Sequence, residues 1–169
     1  VSAALLGGCG YLRFVTRKAP ATETFAYRRD PRVPAFDDTH AIVIFDGACV
    51  MCSRFVQFLL HADQRGRLRF LTAQSELGQT LYAHFGLRGD VFDTYVLLDA
   101  GQARVKSDAA LGIFALLGAP YALLGVGCVL PRAWRDGLYD FVARNRLRWF
   151  GAREVCYAPA PDMRARFIA

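Results

Sequence analysis

The feature that most constrains this chain is residues 41–52, AIVIFDGACVMC, in which a run of apolar and β-branched residues breaks at Asp46-Gly47 and restarts on two cysteines. Ala41 to Phe45 reads as a buried strand, and the segment from about Val50 to Ala62, with Phe55, Val56, Leu59 and Leu60 at helical spacing, reads as a helix. Cys49 and Cys52 therefore fall where a strand hands over to a helix. The first turn of a helix has backbone N–H groups without intrahelical partners and the positive end of the macrodipole, both of which stabilise a thiolate. Three residues apart on one face of that turn, the sulfurs can exchange between dithiol and disulfide. The expectation is a redox pair, with Cys49 the exposed nucleophile and Cys52 the resolving thiol. The competing readings are half of a zinc or copper site, or two incidental small residues.

Downstream, Arg67 to Ala73 alternates as a second strand, joined to the first by a helix and so expected to run parallel to it. A second helix is expected from Ser75 or Glu76 to Phe85. Asp93 to Asp99 and Gln102 to Lys106 read as a hairpin about Ala100-Gly101, followed by a helix over 108–117 with Ser107 as its N-cap. The order β-α-β-α-β-β-α is that of an α/β thioredoxin-like fold. Extra C-terminal helices are expected beyond it, chiefly Arg132 to Arg148, with Trp134, Leu138, Phe141, Val142 and Trp149 as the packed stripe and Asp136 and Asp140 on the wet side. Residues 1–40, rich in Gly, Pro and mixed charge, read as a poorly ordered N-terminal extension, and 41–169 as the domain.

Composition removes several function classes. A 54% apolar chain of 169 residues has material for one real core. The net charge of +6 is spread over arginines that are scattered apart from Arg144, Arg146 and Arg148 near the end of a late helix, Lys18 and Lys106 being the only lysines, and no basic face interleaved with aromatics for nucleic acid emerges. Five cysteines without the spacing of a disulfide framework point to a reducing, cytoplasmic setting. Leu6-Gly7-Gly8-Cys9 resembles a lipoprotein cleavage site but lacks a charged leader before it. Residues 109–131 carry no charge, yet Pro120 and its flanking glycines divide them into two pieces too short to span a bilayer, read as two buried helices or one buried and one at an interface.

Asp46-x-x-Cys49-x-x-Cys52, with LRFLTAQSELGQ at 68–79, DTYVLL at 93–98, KSDAAL at 106–111, RDGLYDFVARNRLRWFG at 135–151 and the tail through Arg166-Phe167, resembles the DCC family of thiol-disulfide oxidoreductases. The resemblance covers about residues 41–168. It implies a thioredoxin-like domain exchanging electrons through its Cys-x-x-Cys pair with protein or small-thiol disulfides, without a cofactor. Thioredoxins place a cis-proline at the start of the third strand to pair with substrate backbone; here that place, near Asp93-Thr94, has none, which puts backbone docking in question.

For the chemistry, Cys49 is the candidate thiolate, with Arg54 a possible source of positive potential. Asp46 is the candidate base for the Cys52 proton or, equally, the residue that closes the turn. Cys156 is a third thiol within reach or a bystander, and Cys128 is expected in the core. His61 is too far along its helix to join a metal site with the pair, and His40 and His84 are expected elsewhere. A phosphatase built on Asp46 fails because position 48 is Ala. The remaining alternative is a thioredoxin-like binding module in which the cysteines are incidental.

Overall fold

Each residue of the first strand, β1 (Ala41–Phe45), is buried, because the sheet it belongs to is covered on both faces. The computed structural model describes residues 23–87, 89, 94–153 and 157–168. In chain order these form β1, α1 (Val50–Ala62), β2 (Leu68–Thr72), α2 (Glu76–His84), β3 (Val96–Asp99), β4 (Gln102–Val105), α3 (Lys106–Leu117) and α4 (Arg132–Phe150), with a 3-10 helix over Tyr121–Val129 and another over Pro161–Arg166. The strands form one sheet in the order β2-β1-β3-β4, with β1 parallel to β2 and β3 antiparallel to both β1 and β4. This is the expected thioredoxin-like arrangement, and α1 spans the residues assigned to it from periodicity alone.

Alternation sets the two cores. Val43 and Phe45 join Val56, Leu59, Phe70, Leu97 and Ile113 under α1 and α3. Ile42 and Ile44 join Leu71, Leu81, Tyr82, Val96 and Leu98 under α2. Each such side chain contributes roughly 1.5–3 kcal/mol on burial. The β3–β4 turn closes on Ala100 and Gly101, both at positive φ (48° and 76°), the geometry a two-residue hairpin needs to match strand twist.

The structure departs from expectation in several places. Residues 23–40, expected as a loose extension, lie on the α2 face: Tyr27 is buried among the apolar residues there, and its hydroxyl donates to Asp38, which also accepts two bonds from Arg28. The assignment for residues 1–22 lies outside the described residues. Helix α3 begins at Lys106 without a side-chain cap, and Ser107 instead donates to Asp136 on α4. The second half of the uncharged run is not a buried helix; over Tyr121–Val129 it is 3-10, buries no residue, and leaves Leu123, Val126 and Val129 exposed. Cys128, expected in the core, is half-buried there and disulfide-bonded.

Helix α4 is turned over relative to expectation. Trp134, Leu138, Phe141 and Trp149 face outward, while Asp136, Tyr139, Asp140 and Arg146 lie on the packed side. Polar groups on α3 cause the inversion. Lys106 pairs with Asp140 at 2.8 Å, Arg132 and Arg135 pair with Asp108, and Ser107 with Asp136, so α4 docks through ion pairs and hydrogen bonds. Among the described residues no helix is long and apolar enough to cross a membrane.

Candidate active site

Cys49 is the N-cap of α1. Its backbone is extended (φ −84°, ψ 122°), and its Sγ accepts the backbone N–H of Cys52 at 3.3 Å, the bond a serine or aspartate oxygen makes at other helix starts. The Cys52 thiol is a second donor to that sulfur, and Arg146 adds positive charge. Together they outweigh the cost of burial and bring the Cys49 thiol down to about 6. Cys52 moves the other way. Hydrogen bonding to Cys49 and burial both favour its neutral form and push its thiol well above the usual range. The pair is thus polarised, Cys49 as thiolate and Cys52 as thiol.

The helix end and the shared contact are as the sequence led one to expect; the exposure is not. Cys49 is 0% exposed and Cys52 3%. The cover is the chain after α4. Gly151 O accepts from Val50 N (3.4 Å), Arg153 N donates to Ala48 O (2.7 Å), Tyr157 N donates to Gly47 O (2.9 Å), and Ala152 bridges to Cys49. These bonds lay a strap across the Cys49 turn. Cys156 lies outside the described residues.

Asp46 directly follows β1 and is itself buried. Its Oδ1 accepts from Ala48 N (3.0 Å) and Gln74 Nε2 (2.7 Å), closing the strand-to-helix turn, while Oδ2 accepts from Arg146 Nη2 at 3.0 Å. The cation beside the sulfurs is therefore Arg146, which is 4% exposed, and not Arg54, which is exposed on α1. Burial works against the Arg146 charge, but the Asp46 carboxylate and the two sulfurs more than offset it. Sequence reasoning missed this residue because it is 100 positions from Asp46. The signal available was the i, i+3, i+4, i+7 set Tyr139, Val142, Ala143 and Arg146 on one face of α4.

That face, with Asp46, Met51, Cys52, Thr94 and Tyr95, lines a cavity of ≈ 60 Å³. Cys49 is not part of its wall. Inside it the Tyr95 hydroxyl, buried beside the Cys52 sulfur, completes no hydrogen bond of normal geometry among the described residues. The Tyr95 backbone N–H is taken by the Tyr139 hydroxyl at 2.8 Å and the Thr94 carbonyl by the Tyr82 hydroxyl at 2.5 Å. Asp93 lies outside the described residues.

The three histidines are engaged away from the pair: His40 with Thr39 and Arg69, His61 with the Gln57 carbonyl of its own helix, and His84 with Asp30 at 2.8 Å.

Compared with known proteins, residues 43–152 match the family described as DCC1-like thiol-disulfide oxidoreductase. The uncharacterized protein YuxK of Bacillus subtilis (strain 168) is 39% identical over 127 residues, 75% of this chain and 93% of its own. A chloroplastic DCC family protein of Arabidopsis thaliana is 33% identical over 121 residues, 71% of this chain and 70% of its own. No solved structure matches the chain.

Proposed function

Because the chain belongs to the DCC1-like thiol-disulfide oxidoreductase family, we propose that it is an enzyme that exchanges electrons with thiol or disulfide substrates through Cys49 and Cys52. The observation that carries this reading is the shared helix end, where Cys49 Sγ accepts both the Cys52 N–H and the Cys52 thiol proton. Such an arrangement divides the pair into a sulfur that is stable as a thiolate and one that keeps its proton, the division disulfide exchange needs. Cys49 serves as the leaving group when the disulfide opens and as the internal nucleophile when it closes. Asp46 holds Arg146 against the pair and, on the same cavity wall as Cys52, takes and returns the Cys52 proton. The setting we propose is cytoplasmic and reducing, on the cysteine usage; a Cys128 disulfide that persists when thiols are alkylated in intact cells would overturn that part.

The test is equilibration of the purified protein in glutathione buffers of graded ratio, followed by alkylation and mass measurement. The expected result is a Cys49–Cys52 disulfide that forms and opens reversibly, lost in Cys49→Ser and in Cys52→Ser, with Asp46→Asn slowing exchange by about 10²-fold. A pair that stays fully reduced in oxidised glutathione removes the redox role.

A further inference from the structure

Resting on that reading, we infer that the substrate is a low-molecular-weight thiol, which enters the α4 cavity and attacks the disulfide at Cys52, not at Cys49. Three independent features of the structure point there. First, the strap of Gly151 to Arg153 and Tyr157 covers Cys49, while Cys52 forms part of the cavity wall. Second, the start of β3, where a thioredoxin pairs with the backbone of a protein substrate, has its groups occupied: Tyr139 takes the Tyr95 N–H and Tyr82 takes the Thr94 carbonyl. Those two groups are therefore not available to pair with a substrate polypeptide. Third, the cavity of ≈ 60 Å³ is worth about two waters at liquid density, so it admits the sulfur end of a short thiol but not a folded protein's loop. Met51, Val142 and Ala143 give it an apolar wall for the carbon chain, and the buried Tyr95 hydroxyl, set beside the Cys52 sulfur, is a donor for the sulfur under attack.

The chemistry follows from which sulfur leaves more easily. The thiolate of the first substrate molecule brings an electron pair to Cys52 Sγ. The Cys49–Cys52 bond breaks, a substrate–Cys52 disulfide forms, and the pair of electrons departs on Cys49, whose negative charge the Cys52 N–H and Arg146 receive. A leaving thiol of low proton affinity departs faster, so this direction of attack is the favoured one. A second thiolate then attacks the substrate sulfur, releasing the oxidised small disulfide and Cys52, which takes up a proton. Two thiols are oxidised and the protein disulfide is reduced; of the two protons they gave up, one returns to Cys52 and one goes to solvent. The protein's own disulfide is the oxidant for this half-reaction.

The experiment uses full-length protein oxidised with diamide, freed of reagent, and mixed with 2-mercaptoethanol. Rapid acid quenching and peptide mapping locate the first adduct, which is expected on Cys52. An adduct on Cys49 overturns the entry route while leaving the redox role intact, and no exchange with any thiol overturns both. Rates for 2-mercaptoethanol, glutathione and a reduced protein thiol, corrected for thiol acidity, are expected to fall at least tenfold at each step in size. Equal corrected rates overturn the inference without any variant. Ala143→Trp, which fills the cavity, is expected to slow 2-mercaptoethanol at least tenfold; an unchanged rate in that variant, folded by circular dichroism, overturns it too.

Discussion

At the scale of single residues, the site holds a buried ion pair, Asp46 with Arg146, beside the sulfurs, and Arg146 adds to what the Cys52 thiol does for the Cys49 thiolate. Both ion-pair partners are more than nine-tenths buried, and removing one partner of such a pair leaves an uncompensated charge costing about 3–5 kcal/mol. Arg146→Met is therefore expected to destabilise the fold by that amount and to raise the Cys49 thiol towards its ordinary range. Arg146→Lys is expected to keep part of the depression while losing the fork geometry. Thiolate ultraviolet absorbance against pH measures the second effect and urea unfolding the first; an unmoved Cys49 titration in Arg146→Met would remove Arg146 from the site. Asp46, Cys49 and Cys52 were legible because local order alone, strand then turn then helix, brings them together. Arg146 was not, since no local rule ties a residue on the last long helix to the end of the first strand.

At the scale of elements, the strap and α4 are the parts that carry consequences. The Arg153 N–H bond to Ala48 is the shortest of the strap's three, and proline at 153 has no hydrogen to give. Arg153→Pro is expected to speed iodoacetamide alkylation of Cys49 at least tenfold while costing only about 1 kcal/mol of global stability, as expected for one surface-linked hydrogen bond. Alkylation no faster than in the parent would mean that the strap does not control access. The existence of β1 to β4 and α1 to α4 followed from sequence pattern, with α1 over the residues assigned to it, whereas the 3-10 helices over Ala26–Arg29 and Pro161–Arg166 did not. The facing of α4 did not, because reading a stripe of Trp134, Leu138 and Phe141 as the packed side assumes that apolar contacts decide the docking. Here Lys106, Ser107 and Asp108 on α3 decide it through charge. A search for complementary charges between neighbouring helices was the signal that could have shown this.

For the molecule as a whole, the polarised pair links folding to pH. The Cys49 thiol ionises near 6 in the folded chain against about 8.5 in the unfolded one. A depressed value adds stability that is complete above the unfolded pKa and is lost as pH falls through the folded one. Cys52, raised by its partner and by burial, acts oppositely, and its contribution declines as pH climbs past about 8.5. Urea midpoints of the reduced protein are thus expected to rise between about pH 6 and 8.5 and to level or fall beyond, with the rise absent in Cys49→Ser. A wild-type profile parallel to that of the variant would show that the pair contributes nothing.

The centre is assembled from distant parts of the chain: its sulfurs come from the first βα unit, its cation from position 146 and its cover from residues 151–153 and Tyr157. During synthesis the two cysteines leave the ribosome some hundred residues ahead of the groups that tune and shield them. Until those groups dock, the newborn chain holds a thiol without its nearby arginine and without a roof. The lowered proton affinity of Cys49 and the cover over it thus arrive together, with completion of the fold.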